Sequence, residues 1–122
     1  MSNISSTQTT PFSRQSGHVE ILFSSEHTLT FADKKQKAQL EITYAPDRLL
    51  LETQDFQPFI DEHLKQDWAT PENLLDSLVA ALYDLLVPYS ITAHLSLEGG
   101  NTRQRITASK NQPGSSQGSS QK

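Results

Sequence analysis

The stretch LEITYAPDRLLLETQDFQPFIDEHLKQDWATPENLLDSLVAALYDLLVP, residues 40–88, decides the architecture. It opens with a clean alternation: Leu40, Ile42 and Tyr44 share one side and Glu41 and Thr43 the other. That is the period of a half-buried antiparallel strand over residues 39–44. A Pro46-Asp47 turn follows, and Arg48-Leu49-Leu50-Leu51-Glu52 either extends the sheet or packs beneath the first helix. From Asp55 the period becomes helical. Phe56, Phe59, Ile60, Leu64 and Trp68 recur at helical spacing, Asp55 is the expected N-cap, and Pro58 falls in the first turn, where its missing N–H costs little. The second helix has sharper start signals, with Thr70 as N-cap, Pro71 at the first helical position and Glu72 next. Leu74, Leu75, Leu78, Leu82, Leu85 and Leu86 line its apolar face, and Pro88 ends it.

Strands flank this stretch. Residues 18–24, HVEILFS, form a first strand rich in β-formers. Beyond Pro88, Ile91, Ala93, Leu95 and Leu97 alternate with Thr92, His94 and Ser96. Glu98-Gly99-Gly100-Asn101 is a hairpin turn whose glycines supply positive φ, and residues 103–108 are the last strand. The order β-β-α-α-β-β describes an α+β domain, a four-stranded antiparallel sheet with two helices on one face. Such a sheet has two open edges and one uncovered face, and joining several copies into a shared barrel covers both, so a homo-oligomer is expected.

Composition narrows the function classes. Residues 1–16 and 111–122 are dominated by Ser, Thr, Gln, Asn and Gly, too little apolar surface to offset the entropy of ordering them. They are expected to be disordered tails around a domain at residues 17–110. The net charge of −4 weighs against a nucleic-acid partner. Lys34, Lys35 and Lys37, interrupted by no aromatic residue, suit a solvated loop. The absence of cysteine removes disulfides, thiolate catalysis and thiolate-bound zinc. No apolar run approaches the roughly 20 residues of a membrane span, and no secretory leader pattern is present, so a cytoplasmic, membrane-free setting is expected. The histidines at 18, 27, 63 and 94 lack metal-ligand spacing and read as surface residues, so no metal is expected. Phe56, Phe59, Trp68 and Tyr83 read as core, and Asp61 and Glu62 as solvated helix charges.

The order of elements and several short motifs resemble the tunnelling-fold superfamily, in particular the NADPH-dependent 7-cyano-7-deazaguanine reductases of the QueF type. Tyr44-Ala45-Pro46-Asp47-Arg48-Leu49-Leu50-Leu51-Glu52 is similar to the family's Tyr-x-Pro-Asp-Lys/Arg-x-Leu-x-Glu. Leu85-Leu86-Val87-Pro88 is similar to its Leu-Leu-x-Pro helix end, and Glu98-Gly99-Gly100 to its Arg-Gly-Gly turn. The likeness covers residues 19–108. It implies that Glu72, where the family has a glutamate that anchors the guanine-like edge of the substrate, is a substrate-binding residue. A carboxylate there accepts two parallel N–H bonds from a 2-amino-purinone edge. The likeness also implies a contact for Glu52 with ligand or cofactor at a subunit boundary.

The departures fall on the chemistry. The nucleophilic cysteine of the family corresponds to a position near Leu29, flanked by Thr28 and Thr30, and its aspartate to one near Gln36, with Asp33 the nearest acid. The lysine-bearing cofactor motif falls on Thr53, Gln54, Asp55, Phe56 and Gln57, and the histidine before the substrate glutamate is Pro71. No catalytic residue is therefore assigned. NADPH is expected only if the family activity is retained. The implied reading is a non-catalytic purine-binding homologue of the queuosine-pathway type, or a subunit that needs a cysteine-bearing partner. The alternative is an oligomeric scaffold without a small-molecule ligand; a zinc-free acid/base enzyme on purines or pterins ranks below both. Glu72 also has an ordinary explanation, since an acidic residue in the first turn complements the helix dipole.

Overall fold

The computed structural model describes residues 9–11, 19–31 and 33–113. Its main sheet contains β2 (Ile21–Phe31), β3 (Lys34–Ala45), β5 (Ser90–Gly99) and β6 (Thr102–Asn111), in the order β2-β3-β5-β6 and antiparallel throughout. Two short strands, β1 (Thr10–Pro11) and β4 (Leu49–Leu50), pair separately. The helices α1 (Thr53–Leu64) and α2 (Pro71–Leu86) lie between β4 and β5 in the chain. The α+β architecture read from the sequence is the one observed.

Register explains why one face is apolar. Cross-strand partners share a face, and the rows Phe23–Ile42–Ala93–Ala108 and Ile21–Tyr44–Ile91–Lys110 cross all four strands on the helix side. Phe56 of α1 stacks on Phe23 at 4.3 Å between ring centroids and leans on Tyr44 at 6.1 Å. The second helix covers β5 and β6 with Leu74, Leu75, Leu78, Val79, Leu82 and Leu86 buried. Among the described residues the core holds no buried polar or charged residue apart from tyrosine. The opposite face carries exposed or half-exposed polar groups, with Leu22 exposed among them.

Several expectations change. The first strand runs to Phe31 rather than ending at Ser24, because pairing with β3 carries it past the polar Ser25 and His27 on the core face. For the same reason Lys34, Lys35 and Lys37 lie on a strand, exposed, and not in a loop. The β2–β3 turn places Asp33 at φ 64°, a left-handed conformation that aspartate tolerates. The first helix begins at Thr53 with Glu52 as its N-cap, three residues before the expected cap at Asp55. The Glu52 carbonyl accepts from the amides of both Asp55 and Phe56, which puts Asp55 inside the first turn. Residues 48–52 do not extend the main sheet. Leu49–Leu50 pairs with Thr10–Pro11, from a stretch composition had placed in an unstructured tail, and Leu51 is buried. His18 and residues 114–122 lie outside the described part, whereas β6 continues to Asn111 and Gln112 donates from Nε2 to Asp47 and to the Val87 carbonyl, both at 2.9 Å.

The second helix matches its reading. Thr70 accepts from the Asn73 amide at 3.1 Å, Pro71 opens the helix, and Val87 closes it at φ 42°, its amide donating to the Tyr83 carbonyl at 2.7 Å. A β-branched residue in that conformation carries strain, held here by the cap bond and by Pro88.

Tyr44 ties the sheet to the turn before α1. Its ring is buried and its hydroxyl accepts from the Leu51 amide at 3.1 Å; burial raises the phenol's pKa, an effect the amide partly offsets. Tyr44→Phe keeps the packing and leaves that buried amide unpaired. The expected cost is about 1–3 kcal/mol, read as a lower denaturation midpoint with unchanged m-value in urea.

Candidate functional site

Glu72 occupies the second position of α2, exposed, in a first turn where Pro71 has no N–H and Thr70 takes the Asn73 amide. Its carboxylate makes no hydrogen bond or ion pair with any described residue. Glu52 is also exposed and accepts from the Thr10 hydroxyl at 3.4 Å, a long bond. No hydrogen bond joins the two within one chain. Glu52 caps the N-terminus of α1, whereas Glu72 follows the connection that leaves its C-terminus. The twelve residues of α1 span roughly 18 Å at the rise of an α-helix.

Next to the α1–α2 connection is an aromatic stack that the sequence reading dispersed. Trp68 is not part of α1. It lies beyond Leu64, and its indole N–H donates to the His63 carbonyl at 3.0 Å. The His63 ring lies between Phe59, at 6.0 Å, and Trp68, at 5.5 Å, and its Nε2 is 3.2 Å from the Ser77 hydroxyl on α2. His63 is therefore half-buried and not a surface residue. Its indole neighbour is partly exposed, four residues before Glu72 in the chain. Burial lowers the pKa of His63. Burial also lowers that of His27, against a partly opposing attraction from Asp61. His27 faces the core side of β2, with Nε2 2.7 Å from the Ser25 hydroxyl.

Asp61 and Glu62 behave as helix-surface charges. Gln57 donates to Asp61 at 3.1 Å, and Lys65 lies 3.7 Å from Glu62. Gln54 and Gln57 are exposed on α1, where they offer amides rather than charges. Among the described residues no group of histidines and carboxylates is arranged to hold a metal, and no helix is long and apolar enough to cross a membrane. A cleft of about 900 Å³ lies elsewhere, across β2, β3, β5 and β6. Two registered rows on the polar face line it, Glu26–Gln39–Ser96–Arg105 and Thr28–Lys37–Glu98–Arg103, while Ala38 and Leu97 between them point into the core.

The neutral histidines make an acid limb. Both folded-state pKa values lie below the model-peptide value of 6.5, so the unfolded chain takes up protons first as the pH falls. Their contribution to stability is complete above about pH 6.5 and is lost as the pH drops through that value toward the folded pKa values. Proton NMR of the imidazole resonances should give midpoints below the unfolded value, and His63→Phe should flatten the loss of melting temperature between pH 7 and 5.

No protein-family model and no curated protein sequence matches the chain. Among solved structures it is similar to the archaeosine synthase QueF-Like in its apo form, with a TM-score of 0.66 and 11% identity, covering 74% of this chain and 91% of that one. The chain shares the QueF-like tunnelling fold.

Proposed function

We propose that this chain is a non-catalytic, purine-binding subunit with the QueF-like fold, of the 7-deazapurine (queuosine) pathway type, in which Glu72 grips the N–H edge of the base. The carrying observation is the exposed and uncommitted Glu72 carboxylate at the start of α2, in a fold shared with an archaeosine synthase. A carboxylate there offers two acceptor oxygens to a 2-amino-purinone edge. The nearby Trp68 indole supplies a flat, partly exposed surface of the kind on which heterocycles stack.

The chain has no cysteine, so it forms no thioimidate with a nitrile by itself. Any reductase activity would take its nucleophile from a cysteine-bearing partner chain. NADPH would also need that partner's cations, since Gln54 and Gln57 stand where the resembling family has lysines. The setting in this reading is cytoplasmic.

Assembly belongs to the same proposal. With four alternating strands, the edge strands β2 and β6 run in opposite directions, so β6 of one copy continues antiparallel into β2 of the next. The exposed Val19 and Leu22 flank the start of β2, and the exposed Val87 is bonded through its carbonyl to Gln112 just past β6. Both groups lie at the same end of the sheet, and head-to-tail pairing brings them together. Glu52, which no hydrogen bond joins to Glu72 in its own chain, then serves the subunit boundary and reaches a shared ligand from another copy.

A second reading, an oligomeric scaffold with no small-molecule ligand, is favoured by one observation: the ligand-sized cleft is lined by the strands and not by Glu72 or Glu52. Calorimetric titration of 7-cyano-7-deazaguanine, with guanine for comparison, separates the two. The expected outcome is micromolar binding with a change in Trp68 fluorescence, weakened at least tenfold in Glu72→Ala. A folded oligomer that binds no purine leaves the scaffold reading in its place.

A further inference from the structure

The polar cleft on the open sheet face concentrates unlike charges unevenly. Lys37 on β3 stands directly opposite Glu98 on β5, and Glu98 directly opposite Arg103 on β6. The Glu98 carboxylate holds Arg103 by its Nε, at 3.3 Å. That bond uses one edge of the guanidinium and leaves its terminal N–H groups uncommitted among the described residues. Arg105 lies two residues further along the same face, about 7 Å away at the strand rise, opposite Ser96. Neither the Arg105 nor the Lys37 side chain has a hydrogen-bonding or ion-pair partner among the described residues. Three cations therefore share the face with two carboxylates, Glu98 between Lys37 and Arg103, and Glu26 diagonal to Lys37 across one strand. The other acid of the cleft, Glu26, is on β2 at the far side of the sheet, roughly 14 Å from Arg105 across three strand spacings.

This local excess of positive charge sits in a chain whose net charge is −4. The cleft volume, about 900 Å³, is within the range of small-molecule sites. Two guanidinium groups and an ammonium match a phosphate dianion, because arginine presents paired donors to two phosphate oxygens. Glu98 sets a second requirement. A bare anion meets repulsion from it, whereas an ester whose alcohol carries free hydroxyls donates to it and keeps its phosphate on the arginines. The neutral Ser96 hydroxyl and Gln39 amide, on the adjoining row, complete a polar lining.

We infer that the sheet face holds a binding site for a phosphate monoester of a polyol or nucleoside, with Arg103, Arg105 and Lys37 on the phosphate and Glu98 on a hydroxyl of the ester. The site is independent of Glu72, which is on the helix layer.

The test is calorimetric titration of ribose 5-phosphate, inorganic phosphate and ribose into the full chain at low ionic strength. Ribose 5-phosphate should bind several-fold more tightly than inorganic phosphate, and ribose not at all. Arg105→Gln and Lys37→Gln should each weaken it about tenfold, while Glu72→Ala leaves it unchanged. All three side chains substituted are exposed, so folding is expected to persist, and circular dichroism verifies it. Equal affinity for inorganic phosphate and the ester would overturn the role of Glu98. Absence of binding, or binding indifferent to Arg105→Gln in a folded variant, would overturn the site.

Discussion

The register of β3 is the constraint on which the rest depends. This strand is hydrogen-bonded on both sides, to β2 and to β5, and it sends Ala38, Leu40, Ile42 and Tyr44 to one face. A slip of one residue would turn that whole set to solvent and bring charged groups under the helices. Because the register holds, Phe23 meets Phe56, the leucines of α2 find β5 and β6, and Tyr44 reaches the Leu51 amide that sets the entry to α1. The same register aligns Lys37, Glu98 and Arg103 on the opposite face. Core and polar cleft are two sides of one pairing scheme.

Where local chemistry and tertiary structure agree, the fold was legible. The alternation at residues 39–44 and 91–97, and the Thr70-Pro71-Glu72 start of α2, need no distant partner to be read. The misread parts depend on partners far along the chain. Ser25 and His27 are polar on the core face and hide the continuation of β2, which only pairing with residues 38 and 40 maintains. Lys34, Lys35 and Lys37 carry the charge of a loop but are held in a ladder. At α1, Asp55 has the chemistry of a cap, yet the Glu52 carbonyl receives the first amides, so the helix starts earlier.

The candidate site was legible in part for the same reason. Glu72 is fixed by local helix-start signals, and its exposure follows from them. Its place after the α1–α2 connection, with α1 between it and Glu52 in the chain, is not visible in motif spacing. His63 reads as a surface residue beside Glu62 and Lys65, but Trp68 folds back from outside the helix and buries one face of its ring. Lys37 is far from Arg103 and Arg105 in sequence, and only the β3–β5–β6 ladder gathers them.

Each of the two edge strands, eleven residues in β2 and ten in β6, has one side without a strand partner among the described residues. They are the part of the structure that the proposed second copy would complete. Hydrogen–deuterium exchange of the full chain, followed strand by strand at micromolar concentration, tests this most directly. The account predicts that the outward-facing amides of β2 and β6 are protected like those of β3 and β5, and that protection falls on dilution. Rapid exchange of both edges in a folded monomer, at every concentration, would contradict it.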